Sequence, residues 1–350
     1  MIYFLITTII AFLLTPLVIK LYRQHNWIDD PGKTKSVKTT HSQPVPRGGG
    51  LVIFFSVLIA SLLFLHIDKY LVGILLGALI LAVVGFIDDI KDLHPVVRII
   101  TGLLAAGMVV GSGIGIAYIT NPFSAGVIHL DQPQITFTLL GSQHSIWILS
   151  DLFALLFILW NMNIVNWSKG LDGQLPGFVS IALIFIGILS YKFIDDPTQF
   201  NTAHLAFIVS GAFLGFLFWN FYPQKIMPGY GAGSLAGYFL AVLAILSGAK
   251  VATTLMVLGV PTADAIFAIG RRIKAGKLPW WGDRGHLHHK LIDVLGWGKR
   301  RVAIFYYLTT FILGVLALNL NTAGKLITMM VVTLAVFGFL IWAKMKQLQQ

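Results

Sequence analysis

Apolar residues run along this chain in long blocks separated by short polar stretches. The blocks fall at 2–20, 49–67, 70–87, 97–117, 147–163, 177–194, 203–219, 233–248, 251–269, 303–320 and 325–343. Their lengths approach the roughly 20 residues of a membrane helix and exceed the roughly 9–11 of a barrel strand. The pattern predicts an all-α polytopic integral membrane protein with about 11 transmembrane helices, because a helix satisfies its own backbone in lipid. The block 147–163 is the weakest, interrupted by Asp151, Asn161 and Asn163; it reads as a short functional span or as a misplaced boundary. The first block lacks a basic leader and a small-residue cleavage site, so it reads as a retained span. The connection 118–146 is long and nearly uncharged, and loose alternation from Gly126 to Leu140 suggests a small hairpin there. Gly111, Gly113 and Gly115 follow no strand, so they read as helix-packing glycines and not as a nucleotide loop.

Composition agrees with lipid as the solvent: 57% of the 350 residues are hydrophobic and 11% charged. The absence of Cys removes disulfides and thiolate chemistry, and all 14 acidic residues are Asp. A net charge of +11 admits nucleic acid, anionic lipid or a phosphorylated substrate, so the position of the charge decides. With the N-terminus outside, 21 of the 25 Lys and Arg fall on the cytoplasmic side; Lys69, Lys192, Lys250 and Lys325 do not. The positive-inside rule therefore predicts an outside N-terminus and a cytoplasmic C-terminus. The chain reads as one domain, 1–350, with cytoplasmic loops at about 21–48, 88–96, 164–176, 220–232 and 270–302. Nine of the 14 Asp also land inside, which that rule does not explain.

Several of those cytoplasmic stretches carry residues suited to chemistry. Asp88 and Asp89 are adjacent carboxylates at the inner end of the third block; a hard divalent ion or a proton would relieve their repulsion, and a helix cap is the plainer reading. Asp92 reads as structural, facing Arg98. In Asn163 to Gly173, a helical exit places Asn163 and Asn166 on one face, and Asp172 lies between flexible residues; a capping and turn cluster fits the same stretch. The loop 270–302 carries Arg284, His286, His288 and His289 beside Lys290, a pattern suited to phosphate, to a transition metal or to an ordinary basic loop. Asp264, three residues after Pro261, is an ionisable group inside a membrane block. Lys38, His41, Arg47 and three glycines from Gly48 form a basic stretch suited to lipid headgroups or a nucleotide diphosphate, and equally to simple charge bias.

Taken in order, Pro44 to Gly49 with His41 upstream, Gly85 to Asp89, Asn166 to Gly173, Pro261 to Asp264 and Asp283 to His289 resemble the motifs of the polyprenyl-phosphate N-acetylhexosamine-1-phosphate transferases over nearly the whole chain. These membrane enzymes start bacterial cell-wall and surface-glycan assembly. The resemblance implies transfer of a sugar 1-phosphate from a UDP-sugar donor to undecaprenyl phosphate, a polyprenyl phosphate acceptor in the inner leaflet of the bacterial cytoplasmic membrane. It also implies release of UMP and a Mg²⁺ or Mn²⁺ cofactor, no nucleic acid, and leaves a homodimer open. Asp88 would orient or deprotonate the acceptor, Asp89 and Asp172 would serve the metal, and Asp264 would join the catalytic set. Lys38, His41, Arg47, Asn163, Asn166, Lys169, Arg284, His286, His288 and His289 would bind substrate.

Two departures stand out. Lys169 replaces a common acid, and Lys225 to Ser234 lacks the Asp that is a direct metal ligand in the family pattern. A divergent active transferase, a noncatalytic lipid-phosphate-binding or glycan-assembly relative, an altered donor and a transporter all remain as readings.

Overall fold

The computed structural model describes residues 2–32, 40–121, 126–139, 142–193, 198–247 and 250–349. Lys38 lies outside them. The elements run α1 (Ile2–Gln24), β1 (Ile28–Asp29), β2 (Val45–Pro46), α2 (Gly49–Phe64), α3 (Lys69–Lys91), α4 (Pro95–Gly111), β3 (Tyr118–Thr120), β4 (Val127–His129), β5 (Gln134–Leu139), β6 (Ser142–Trp147) and α5 (Ile148–Trp167). Then follow α6 (Gln174–Ser190), α7 (Thr198–Asn220), α8 (Gly229–Leu246), α9 (Lys250–Val257), α10 (Gly259–Lys274), α11 (Leu287–Asp293), α12 (Lys299–Asn319) and α13 (Thr322–Leu348). Among the described residues, seven helices are long and apolar enough to cross a membrane, and eight if α9 and α10, bent by 85°, count as one broken span. The expected spans at 49–67, 97–117 and 177–194 form shorter apolar helices, α2, α4 and α6. The interrupted block at 147–163 forms a full helix that continues to Trp167, so Asn163 and Asn166 are helical. The connection between α4 and α5 holds two antiparallel hairpins, β3–β4 and β5–β6, where one was expected.

The bundle is turned out toward lipid. Helix α1 buries Thr7, Ala11 and Thr15 and exposes Ile2, Leu5, Ile9, Leu13 and Leu17. Small residues let two helix backbones approach, which is the principal route to association where solvent is as apolar as leucine. Accordingly α1 lies against Gly211 and Gly215 of α7, where an added Cβ would stand 2.3 Å from the Phe4 carbonyl oxygen and 2.2 Å from that of Thr8.

Helix α8 is the axis, buried along nearly its whole length and packed on α2, α3, α5, α6, α7 and α9. Its glycines set that packing. A Cβ on Gly85 would lie 2.4 Å from Gly231 Cα, and one on Gly50 2.8 Å from the same atom, so α2, α3 and α8 meet backbone to backbone. A Cβ on Gly237 would stand 2.3 Å from the Asn161 carbonyl oxygen of α5. These contacts bring the last turn of α3, the last turn of α5 and the first turn of α8 to one end of the bundle.

The loop before α2 is fastened to the same end. Two-residue strands β1 and β2 pair antiparallel, the Met227 N–H donates to the Pro46 carbonyl at 2.8 Å, and the Gly49 N–H donates to the Met227 carbonyl at 3.1 Å. Arg47 is thereby held between the α1–α2 loop and the α7–α8 loop.

Candidate active site

Asp88 and Asp89 occupy the last turn of α3, and neither faces bulk water freely. Asp88 accepts from Arg98 Nε at 2.6 Å and from the Leu93 N–H at 3.1 Å, while Arg98 also donates to Asp92 at 2.7 Å. The expected Asp92–Arg98 contact is therefore present, but Arg98 serves Asp88 as well. Asp89 accepts from the Tyr230 N–H at 2.9 Å, at the start of α8. That helix begins at Gly229, whose φ of +65° favours glycine and whose Cβ would stand 2.3 Å from Asp89 Oδ1 and 2.3 Å from the Arg47 carbonyl oxygen. Lys169, just beyond α5, donates from Nζ to the Gly229 carbonyl at 2.6 Å. Arg47 pairs with Asp29. Arg47, Asp88, Asp89, Asp92, Arg98, Lys169, Gly229 and Tyr230 surround a cavity of about 180 Å³.

A second cavity of about 400 Å³ adjoins it, sharing Arg47, Asp92, Arg98, Lys169 and Met227. Its other walls include His41, Asn166, Trp167, Arg272, Trp280, Trp281, His286, His288 and His289. Several of these side chains are buried yet incomplete: His41 Nδ1 and Nε2, Asn166 Oδ1, His288 Nδ1 and His289 Nδ1 find no hydrogen-bond partner among the described residues. A buried polar atom without a partner costs about 1–3 kcal/mol, so this wall carries polar capacity that the described residues leave unmet.

The histidine loop is fixed from behind. Asp264 of α10 accepts from His286 Nδ1 at 2.9 Å and from the Leu287 N–H at 2.8 Å. Arg272, only a donor, lies 3.0 Å from His286 Nε2, which must accept; the proton of His286 is therefore on Nδ1 and points to Asp264. Arg272 also donates to Asp283 at 2.8 Å and to the Pro279 carbonyl at 2.7 Å, and its guanidinium lies 5.2 Å from the Trp167 ring centroid. Burial raises the Asp283 carboxyl, but hydrogen bonds from Arg271 and Arg272 overcome this and hold it well below the usual carboxylate range.

Burial pushes His289 down to about 4, aided by the charge of Arg284 and by His286, and lowers His288 likewise. Both rings are then neutral near pH 7 and can donate or accept. Because the folded-state value lies below the roughly 6.5 of a free imidazole, the unfolded chain binds the proton first. Stability is expected to be fully present above about pH 6.5 and to fall as pH drops toward 4. Thermal denaturation of the detergent-solubilised protein between pH 7 and pH 4 checks this, and His289→Gln should flatten the profile.

The structure gathers Asp88, Asp89, His41, Arg47, Asn166, Lys169, His286, His288 and His289 around the two cavities. Four other expected residues line neither. Asn163 donates to the Leu159 carbonyl of its own helix at 2.8 Å. Asp172 is buried, accepting from Lys299 Nζ at 3.1 Å and the Gln224 N–H at 3.2 Å. Arg284 pairs with Asp293 at 2.9 Å and borders a separate cavity of about 620 Å³ with Tyr222 and Lys299. Asp264 stands behind His286.

The sequence reading missed Arg98, Arg272 and the Trp167, Trp280 and Trp281 rings as cavity walls. Adjacent tryptophans in a basic loop next to Gly282 are the signal that could have found two of them.

Among the described residues, no group of three or more His or Asp converges as an all-protein metal cage. Asp88 and Asp89 would be the carboxylates to hold a divalent ion together with substrate phosphate oxygens, where it would neutralise charge on the phosphates. Asp88 is engaged by Arg98, Asp172 by Lys299 and Arg47 by Asp29.

Paired aspartates and a histidine loop thus meet at one end of a polytopic helical bundle, and comparison with known proteins gives the family. The family model "Glycosyl transferase family 4" matches residues 71–248, just over half of the chain. The chain belongs to this family, the polyprenyl-phosphate N-acetylhexosamine-1-phosphate transferases, as a distant member. It is 28% identical over 327 residues to the "Probable undecaprenyl-phosphate N-acetylglucosaminyl 1-phosphate transferase" of Bacillus subtilis (strain 168), covering 91% of this chain and 84% of that one. It is 28% identical to the "Decaprenyl-phosphate N-acetylglucosaminephosphotransferase" of Mycolicibacterium smegmatis, over 77% of this chain and 70% of that one. To the "Phospho-N-acetylmuramoyl-pentapeptide-transferase" of Bacillus pumilus it is 29% identical, over 89% of this chain and 95% of that one.

Proposed function

We propose that this protein transfers an N-acetylhexosamine 1-phosphate from a UDP-sugar to undecaprenyl phosphate at the cytoplasmic face of a bacterial inner membrane, releasing UMP. One observation carries the reading: Asp88 and Asp89 share a continuous wall with Arg47, Lys169, Arg272 and the buried histidines, at one end of an apolar bundle. Family membership and the names of the relatives support the reaction type. The Lys and Arg distribution supports eleven spans, three of them formed by the shorter helices, with the N-terminus outside.

The chemistry follows from the charges. An oxygen of the lipid phosphate forms a bond to the sugar-bearing phosphorus of the donor. The bond from that phosphorus to the bridging oxygen breaks, and its electron pair leaves on UMP. A phosphate oxygen is already anionic at neutral pH, so proton removal contributes little and alignment dominates. Asp88, fixed by Arg98, keeps two anions from collapsing onto the same cations and orients the acceptor. Arg47, Lys169 and Arg272 supply positive charge where the departing phosphate gains negative charge, which lowers the barrier more than it tightens ground-state binding. Neutral His288 and His289 contribute donors to phosphate oxygens or the sugar, and Trp167, Trp280 and Trp281 offer faces for the base or the sugar ring.

Release of UMP by the purified protein is expected only when UDP-sugar and undecaprenyl phosphate are both present. Retention of the lipid phosphate without UMP release from any UDP-sugar identifies a noncatalytic relative instead. Solute movement across sealed vesicles without a lipid product identifies a transporter.

A further inference from the structure

We infer that the cavity at the end of the bundle opposite the paired aspartates binds the phosphoethanolamine headgroup of a membrane phospholipid, its ammonium on Asp68 and Gln199 and its phosphate on Lys69. The inference does not depend on the transferase reading.

Position comes first. Asp68 caps the start of α3 and Asp88 and Asp89 lie in its last turn, so about 30 Å of helix separates the two sites. A cavity of about 480 Å³ opens here between the α2–α3 loop, the ends of α4 and α8 and the start of α7, within the roughly 300–1,000 Å³ usual for ligand sites. Exposed His66 and half-buried Asp68 line it toward solvent, whereas buried Leu71, Ile74 and Leu205 line it toward the interior. It is polar at the mouth and apolar within.

Three polar groups around it have capacity to spare. Asp68 Oδ1 accepts from the Leu71 N–H at 2.7 Å, and among the described residues no cation pairs with this carboxylate. The ammonium of Lys69 lies 4.9 Å from the Tyr70 ring centroid, and a Cβ on the lining residue Gly113 would stand 3.6 Å from its Nζ. It too has no carboxylate partner among the described residues. Gln199 Nε2 donates to the Leu246 carbonyl at the end of α8 at 2.9 Å, which orients the planar amide and leaves Oε1 an acceptor without a partner.

An acid and a base that stand side by side without pairing leave one charge of each sign for a ligand. Phosphoethanolamine carries those two charges on a short linker, and its ammonium brings three N–H donors for the Asp68 and Gln199 oxygens. A choline headgroup has no N–H to give them. A purely anionic headgroup meets Asp68 as a like charge. The buried apolar wall takes the glycerol and the first acyl carbons, and exposed Leu63 and Ile67, which flank the lining residues Leu65 and His66, continue it onto the lipid-facing surface. A soluble amine would leave that wall unused.

The test uses the full chain stripped of lipid in detergent and incubated with phosphatidylethanolamine, phosphatidylcholine or phosphatidylglycerol of matched acyl chains, with adducts read by native mass spectrometry. One phosphatidylethanolamine per chain should be retained about fivefold or more tighter than either of the others, the scale of one charge-assisted hydrogen bond near solvent. Asp68→Asn keeps the helix cap, because Asn caps as well as Asp, and should bring the preference over phosphatidylcholine to within about twofold at an unchanged melting temperature. Lys69→Gln should weaken retention of both zwitterionic lipids alike.

Equal retention of the three lipids overturns the inference. So does a phosphatidylethanolamine preference that survives Asp68→Asn, which would place it elsewhere on the surface, or unchanged retention in Lys69→Gln. Displacement of the lipid by an equal concentration of glycerophosphoethanolamine overturns the lipid assignment, since the acyl chains would then contribute nothing.

Discussion

Asp88→Asn is expected to lower transfer by about tenfold to ten-thousandfold while leaving the protein folded, the range found when a positioned acid–base or orienting group is removed. The substitution keeps the shape and the oxygen that accepts from Arg98 Nε and the Leu93 N–H, so the last turn of α3 stays in place. What it removes is one negative charge from a cavity lined by Asp88, Asp89 and Asp92 and by Arg47, Arg98 and Lys169. The freed positive charge binds the incoming phosphates more tightly in the ground state, where tightness slows the reaction, and no longer holds acceptor and donor apart in line. Both effects act on turnover. An unaltered melting temperature together with reduced formation of the lipid product is the expected pair of results, and unchanged transfer removes Asp88 from the mechanism.

The second large effect is structural and is aimed at the junction that creates the site. Gly85→Val should cost about 3 kcal/mol or more, at or beyond the upper end of ordinary overpacking penalties. The first added carbon would stand 2.4 Å from Gly231 Cα, and backbone cannot swing aside as a flexible side chain can. Either α3 or α8 must move, and the two carry Asp88, Asp89 and Gly229. Gel filtration in detergent and thermal unfolding should show an aggregated or strongly destabilised protein. A Gly85→Val variant with native stability would mean that α3 and α8 do not meet at these glycines.

Much of this architecture could be read from hydropathy, because lipid demands long apolar helices and the chain supplies them in separated blocks. Where the reading stopped, the cause is directional. Hydropathy over 251–269 sums to one span, yet the chain turns by 85° between Val257 and Gly259, with Pro261 tolerated in the first turn of α10. That turn sends Asp264 to the back of the histidine loop, so the carboxylate positions His286. Asp172 and Lys169 are three residues apart in a motif that suggests a common role. The structure sends one to Lys299 and the other to Gly229. Neither destination is local in sequence, and no spacing rule anticipates it. Arg98 reads in the sequence only as the partner of Asp92, and Arg272 does not stand out, for the same reason. Each holds a buried acid or imidazole through contacts made only on folding.

The most direct measurement follows the label in a donor carrying radioactive phosphorus next to the sugar, incubated with the purified protein and undecaprenyl phosphate across a panel of UDP-N-acetylhexosamines. Transfer of sugar 1-phosphate predicts that this phosphorus passes into the butanol-soluble lipid in step with UMP release. Label that stays in the aqueous phase with every donor, while a control transferase moves it under the same conditions, contradicts the account.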